Sequence, residues 1–297
     1  MSGLSNSPNS AFPEVGEWRP ADAKRLRDEG RHLFEREPAA LNGLLSRLNR
    51  ASDVRDDARY WLLELPSGPA SALAFYMPIT RRLLISSGCE ADDVVRLADT
   101  VRDAGMSFSG VLAPISTAQQ FAQAWRGEDG WRLLHRYRLY SLMPPIARRF
   151  ASGSLRYARH SDEAWLERAF RAYAKEARLV EPAWMYGRHV HNAIFEHRML
   201  LWCAPAPVGF IEWQPGDGTS YRASSLYVLP AFRRKGYGAA LVSEFCARAF
   251  SGELPGVEHC ARITLAANAK HAESNRIFGK LGFMETAMWE NLEWPSE

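Results

Sequence analysis

Cysteine is scarce in this chain. Cys89, Cys203, Cys246 and Cys260 are the only four among 297 residues, and no two stand in CxxC spacing. That is too few to staple a scaffold of this length and the wrong spacing for a thiolate metal site, so reduced thiols, mostly in the core, are expected. Long apolar runs are missing too. No stretch approaches the roughly 20 residues that cross a bilayer, and residues 1–16, rich in serine and asparagine, lack the apolar centre of a secretory signal. The expectation is a cytoplasmic protein with a loose tail over 1–16. An excess of one charge is also absent: 37 Lys and Arg against 34 Asp and Glu leave a formal +3. That surplus suits an anionic ligand but is too small to argue for nucleic acid. What is present, 46% hydrophobic and 24% charged residues, excludes disordered and fibrous classes and allows two domains.

Apolar spacing then predicts the elements. Leu26, Leu33, Phe34, Leu41, Leu44, Leu45 and Leu48 recur at helical period, giving two amphipathic helices over 20–50. Residues 60–65 and 70–77 read as a hairpin about Pro66-Ser67-Gly68-Pro69, and 81–86 as a third strand. A helix over 90–104, a short strand over 111–114, a helix over 116–125 capped by Ser116 and a long alternating strand over 131–142 follow. Pro144-Pro145 and the basic, Gly- and Ser-bearing stretch to Arg159 read as a linker. Beyond it come helices over 161–179 and 181–197, strands over 199–203, 208–213 and 221–229, a helix over 238–250, a strand over 262–266, a helix over 273–281 and a strand over 283–294. The order α-α-β-β-β-α-β-α-β therefore occurs twice, which predicts an internal duplication with domains at 17–146 and 159–297 joined by a linker at 147–158.

One junction carries chemistry. Leu226, Tyr227 and Val228 end a strand; Arg233, Arg234, Lys235, Gly236, Tyr237, Gly238 and Ala239 form a basic loop; Ala240, Leu241 and Phe245 begin an apolar helix. At such a place backbone N–H groups converge, the helix dipole favours negative charge, and glycines let a diphosphate approach the main chain. The spacing is neither a GxxxxGK[ST] loop nor a dinucleotide GxGxxG with its acidic partner. A basic turn ahead of a core helix is the plain alternative. The full pattern Arg233-x-x-Gly236-x-Gly238 resembles motif A of the GNAT superfamily of N-acetyltransferases. Asn268 with Ser274-Asn275-Arg276-Ile277-Phe278-Gly279-Lys280-Leu281-Gly282-Phe283 resembles motif B of the same family.

The resemblance implies acetyl-CoA as co-substrate, with no metal. Its pantetheine arm would lie along Leu226 to Val228, its diphosphate on Arg233 to Ala239, and Asn268, Ser274, Asn275 and Phe278 would lie further along it. Ser274 could instead cap its helix. Two features depart from the family pattern. Phe278 stands where many members have a tyrosine able to protonate the thiolate, and the strand over 221–229 has no carboxylate, which leaves Glu212 on the preceding strand as the nearest candidate base. Glu212 could equally be a solvated or structural carboxylate. His189, His191, His197 and the pair His259-Cys260 do not have zinc-site spacing. Trp184, Tyr186, Trp202 and Trp213 could line an acceptor pocket or fill the core, and Arg132, Arg136, Arg138, Arg148 and Arg149 could touch RNA or simply face water.

In the first half the counterpart of the strand and loop, Arg81 to Asp93, places Glu90, Asp92 and Asp93 in the first helical turn, which satisfies the dipole internally and repels a diphosphate. The whole resembles tandem GNAT proteins, in which a degenerate N-terminal copy precedes an active one. The fold expected from that resemblance is α/β with a mixed sheet: two tandem GNAT-like domains, each a twisted, mainly antiparallel sheet flanked by helices. The expected activity is acetyl transfer to a primary amine, on a small molecule or peptide, by direct attack. A non-catalytic acyl-CoA sensor and a tandem-fold aminoacyl transferase are the alternatives. A monomer or homodimer is expected, with no membrane partner. The strand over 131–142 is expected to cover the open edge of the second sheet or to join the two sheets.

Overall fold

Short apolar runs broken by Gly and Pro set the elements of the first half. The computed structural model describes residues 15–49 and 57–294; of the expected tail only Val15 and Gly16 fall among them, and the rest lies outside the described residues. Strand β1 (Glu17–Ala21) leads into α1 (Ala23–Glu29), α2 (Arg31–Arg36) and α3 (Pro38–Asn49). Three helices stand where the periodicity predicts two, because Gly30 ends the first and Pro38 can only begin one. Strands β2 (Arg59–Glu64), β3 (Ala72–Met77) and β4 (Arg82–Ile85) precede α4 (Ala91–Asp103), β5 (Gly110–Pro114), α5 (Ile115–Arg126) and β6 (Arg132–Leu142). Helix α5 begins one residue earlier than expected, with Pro114 and not Ser116 at its N-cap.

The second half begins inside the expected linker. Residues Ser154–Tyr157 form β7, which pairs with β8 (Met199–Cys203). Between them lie α6 (Glu163–Ala177) and α7 (Tyr186–Phe195), the latter preceded by a separate 3-10 turn at Ala183–Met185. Then come β9 (Pro207–Pro215), β10 (Ser220–Val228), α8 (Tyr237–Phe250), β11 (Arg262–Asn268), α9 (Ala272–Leu281) and β12 (Met284–Glu293). With β1 and β7 added, each half reads strand, helices, three strands, helix, strand, helix, strand. Among the described residues no helix is long and apolar enough to cross a membrane.

The twelve strands of the described residues form one sheet in the order β1-β2-β3-β4-β5-β12-β6-β11-β10-β9-β8-β7. The last strand of each half has changed places. Strand β6, from the first half, pairs with β11 from Ile263↔Leu142 to Asn268↔Tyr137, while β12, from the second, pairs with β5 from Trp289↔Pro114 to Glu293↔Gly110. The two exchanged strands pair with each other at the centre, so β6 both covers the edge of the second sheet and joins it to the first. Buried polar contacts fix this seam. Arg82 of β4 donates to Asn291 Oδ1 at 2.6 Å and to the Leu292 carbonyl at 2.8 Å. Gly110 allows that approach, since a Cβ there would run into Arg82 Nη1 and the Leu292 oxygen. Glu290 on β12, buried, accepts from Arg136 of β6 and Gln119 of α5. The cores are shared accordingly: Leu292 and Trp294 pack with α4 and α5, and Tyr140 and Leu142 with α8 and α9.

Candidate active site

Strands β10 and β11 run parallel only from Ser220↔Arg262 to Ala223↔Leu265. Beyond that β10 continues to Val228 and β11 to Asn268 without pairing to each other, and a bulge at Ser224 turns β10 away. The wedge opens into a cleft of about 990 Å³. Its β10 wall has free backbone groups. Leu229 N–H donates to the Val208 carbonyl at 2.9 Å, and antiparallel ladders alternate, so Leu226 and Val228 turn their N–H groups into the cleft. Tyr227 points its ring the other way, among Tyr173, Phe210 and Leu229.

At the mouth stands the N-terminus of α8. Its first backbone bond runs from Ala240 N–H to the Gly236 carbonyl, 3.0 Å, so the N–H groups of Tyr237, Gly238 and Ala239 precede the intrahelical ladder. The cap is Gly236 at φ 85°, with no side-chain hydrogen bond and no acid in the first turn. At Gly238 a Cβ would meet only Ile277 Cδ1 and Val228 Cγ2, both at 3.7 Å. Packing does not demand glycine there, whereas a close ligand would. This hollow fits a diphosphate. The matching place in the first half is filled by the protein itself: Asp93 and Glu90 close a capping box on α4, Glu37 accepts from Ser87 N–H at 3.1 Å, and a Cβ at Gly88 would strike the Ser71 carbonyl.

The predicted cofactor residues divide by what their side chains do. Arg234, Gly236, Tyr237, Gly238, Ala239, Asn268, Ser274 and Phe278 line the cleft with the β10 residues. Arg233 lines it too, but its guanidinium grips both carboxylate oxygens of Glu176 on α6, at 2.9 and 2.7 Å, and the Val228 carbonyl at 2.9 Å. It pins the loop to α6. The Lys235 ammonium lies over the Phe232 ring, 5.4 Å from its centre, and the residue is not part of the lining. Asn275 is also outside the lining: it donates to the Asn268 and His271 carbonyls and accepts from Tyr140, tying β11 to α9. Ser274 is not the helix cap, a position held by His271. Phe278 is buried between Tyr140 and Phe283.

Glu212 is neither solvated nor available as a base. It is 1% exposed; its Oε1 accepts from Arg198 at 2.7 Å and its Oε2 lies 3.0 Å from His189 Nε2 and 3.2 Å from Ser225 Oγ. Burial alone would raise its pKa, but His189 and Arg198 together hold it well below the ordinary carboxylate range. His189 is shifted upward by the same carboxylate. Two groups that the sequence did not single out stand nearer the inner end of the cleft. The phenols of Tyr173 on α6 and Tyr137 on β6 line it, each pushed up to about 12 by burial, so both stay protonated. Glu181, in the turn after α6, lies within electrostatic reach of both, and among the described residues its carboxylate has no hydrogen-bond or ion-pair partner.

The remaining candidates lie elsewhere. Trp184 is 70% exposed, while Trp202 and Trp213 are core. Arg132, Arg136, Arg138 and Arg148 pair with Glu293, Glu290, Glu285 and Glu244, which neutralises four of the five in the basic run; Arg149 donates to the Lys280 carbonyl at 3.3 Å and is the one that lines the cleft. Among the described residues one metal-type group does gather, away from the residues considered in the sequence except His191: Glu163 sits between His191 Nδ1 at 3.0 Å and His160 Nδ1 at 3.6 Å.

Residues 197–285 match the acetyltransferase (GNAT) domain family. No protein of curated function matches the sequence. Among solved structures, a GCN5-related N-acetyltransferase from Sphaerobacter thermophilus is similar at TM-score 0.59 and 16% identity, over 97% of this chain and 98% of that one. A GNAT-family acetyltransferase from Colwellia psychrerythraea gives 0.60 and 10%, over 94% and 100%. A tandem GNAT protein from the clavulanic acid biosynthesis pathway gives 0.54 and 10%, over 95% and 100%. At these identities the likeness is one of fold, and it runs the length of the chain. The splayed strands and the uncapped helix terminus fall inside the matched segment: residues 197–285 carry the acetyltransferase (GNAT) domain match, within a chain whose fold is shared along its length with GNAT proteins, a tandem one among them.

Proposed function

We propose that the protein is an acetyl-CoA-dependent N-acetyltransferase with one active copy, at 159–297, behind a degenerate copy at 17–146. The observation that carries the reading is the contrast between two equivalent helix termini: α4 is closed by its own carboxylates, while α8 is left bare and flanked by Arg234 and Lys235. Acetyl-CoA, when bound, supplies a thioester carbonyl open to an amine. The α8 terminus holds the diphosphate, and the N–H groups of Leu226 and Val228 orient the pantetheine arm and polarise the carbonyl. Glu181, the unpartnered carboxylate, takes the proton from the attacking amine; Tyr173 keeps a proton for the departing sulfur in place of the tyrosine absent at Phe278.

Calorimetry with acetyl-CoA and thiol release over an amine panel test this. Gly236→Asp and Gly238→Asp put a side chain and a negative charge into the hollow and abolish binding while leaving the fold intact. Unchanged affinity in either folded variant would refute the assignment of the cradle.

A further inference from the structure

The far side of the sheet holds a second polar corner, built by both halves. Strand β10 turns Arg222 to the same face as Ser220 and, through register, Thr264. Helix α3 of the first half lies over that face, with Asn42 donating to Ser220 Oγ at 2.9 Å and Thr264 Oγ1 at 3.2 Å. The Arg222 guanidinium rests against Gly43, where a Cβ would stand 3.6 Å from its central carbon. Ser46 and Arg47 follow three and four residues on, one turn along the same helix face.

This corner has charge and hydrogen-bonding capacity that the protein leaves unused. Arg222 has no ion pair and no hydrogen bond among the described residues; its Nε is shut off from solvent without a partner, and so are Ser46 Oγ and Asn42 Oδ1. Arg47 lies near enough to disfavour the charge on Arg222. The carboxylate that faces Arg222, Glu212, is already committed to Arg198 and His189. A half-buried guanidinium whose Nε is shut off from water without a carboxylate is costly, and a second cation beside it increases the cost unless an anion arrives. The corner also adjoins the cleft. Arg222 is next to Ala223 and Ser224, which line its floor, and lies within electrostatic reach of the Tyr137 and Tyr173 phenols in the cleft wall. Glu181, outside the lining but within electrostatic reach of the same two phenols, is the matching negative charge without a partner among the described residues.

We infer that Arg222, assisted by Ser46 and Arg47 of the first half, is the anion subsite for the acceptor, and that the acceptor is a small amine bearing a carboxylate, an amino acid in chemical class. Its ammonium faces Glu181 and its carboxylate faces Arg222. The inference rests on the acetyltransferase reading and adds the substrate class. It also gives the degenerate half a place in the active site, as the wall that carries α3.

The test is a matched panel with acetyl-CoA in the full chain: L-leucine, L-phenylalanine and L-glutamate, each against its α-carboxamide and its α-decarboxylated amine. The free acids should be favoured in kcat/KM by about ten- to a hundred-fold, the effect of one charge-assisted hydrogen-bonded contact. Arg222→Gln should raise KM for the acids by that factor, leave kcat and the amides nearly unchanged, and so erase the preference; Arg222→Lys should restore part of it. Arg47→Gln, an exposed change that spares the core, should reduce the preference several-fold even where Arg222→Gln fails to fold. Equal use of acids and amides, or a preference that survives both Gln variants, overturns the inference while transfer to amines still upholds the parent reading. Should no amine release thiol, that reading fails. Calorimetric titration of N-acetyl-leucine against N-acetyl-leucinamide then reads the subsite directly, and equal binding of the two overturns it.

Discussion

Leu292→Ala tests whether the strand exchange makes the two halves one cooperative unit. Leu292 belongs to β12, the last strand of the second half, yet it is fully buried in the core of the first, beside Val111 on β5 and opposite Leu133 on β6. Truncating a fully buried leucine costs about 2–5 kcal/mol, and with little room for collapse inside a paired sheet about 3 kcal/mol is expected. At roughly 2.1 cal/mol/K of unfolding entropy per residue, a chain of this length has about 0.6 kcal/mol/K, so the midpoint should fall by about 5 °C. Scanning calorimetry with and without acetyl-CoA is the assay. At a hundred times Kd the ligand adds about 2.7 kcal/mol, and in a single cooperative body it should raise the one transition that Leu292→Ala lowers. Two transitions, with the ligand moving one and the substitution only the other, would refute the reasoning: the halves would then unfold independently despite sharing strands.

Other predictions follow from the buried charges and the cleft. Glu212→Gln should destabilise by about 3–5 kcal/mol, because it leaves Arg198 and His189 facing a neutral group, and chemical denaturation should show it. The depressed Glu212 contributes stability in full above its ordinary value of 4.5 and loses it as pH falls toward the folded value; the raised His189 contributes fully below 6.5 and loses it as pH rises through its folded value. Stability should therefore decline on both sides of the window between, and a flat profile in wild type would remove this account. Tyr173→Phe should lower kcat by about 10²-fold with acetyl-CoA affinity unchanged, whereas Phe278→Tyr should not lower it; the reverse result would return the proton donor to α9. Titration with CoA should saturate at one site per chain, since the hollow before α4 is filled.

The parts of the fold that the sequence made legible are those where one residue sees its neighbours along the chain. Alternating and helical apolar spacing located ten of the twelve strands closely, and the glycine pattern at 233–238 located the bare helix end. Strands β1 and β7 escaped because each is a short outer strand with a single buried residue, Trp18 and Leu155, too little for a period. The partners of β6 and β12 were beyond reach for another reason: alternation reports which face of a strand is buried and says nothing of which strand lies beside it. The side-chain errors have the same origin. A basic residue in a phosphate-binding pattern reads as a phosphate ligand, but Arg233 is claimed by Glu176, 57 residues earlier on α6. Glu212 could be read as a base or as a structural carboxylate, and only the approach of Arg198, just before β8, and of His189 on α7 decides for the second. Glu181 and Tyr173 sit among ordinary helical residues, and only the closing of α6 over the cleft gives them a setting.

The exchange of strands gives the first half, whose α4 terminus is closed by its own carboxylates, a structural place beside the cleft. A mainly antiparallel sheet that lost its sixth strand would expose a row of unpaired backbone groups next to the cleft. Here β11 is closed by β6, which comes from the other copy and also supplies Tyr137 to the cleft, while α3 of that copy covers Ser220, Arg222 and Thr264. The second half therefore depends on the first through its last strand and its third helix, and not through the loop before α4. In that loop Glu90 and Asp93 close the helix end and Ser87 bonds to Glu37. Those contacts stabilise the first half by the same means that would ruin the second, since a capped α8 could bind nothing. A closed helix end in one half and dependence of the other half on its strand and helix are thus compatible in a single arrangement.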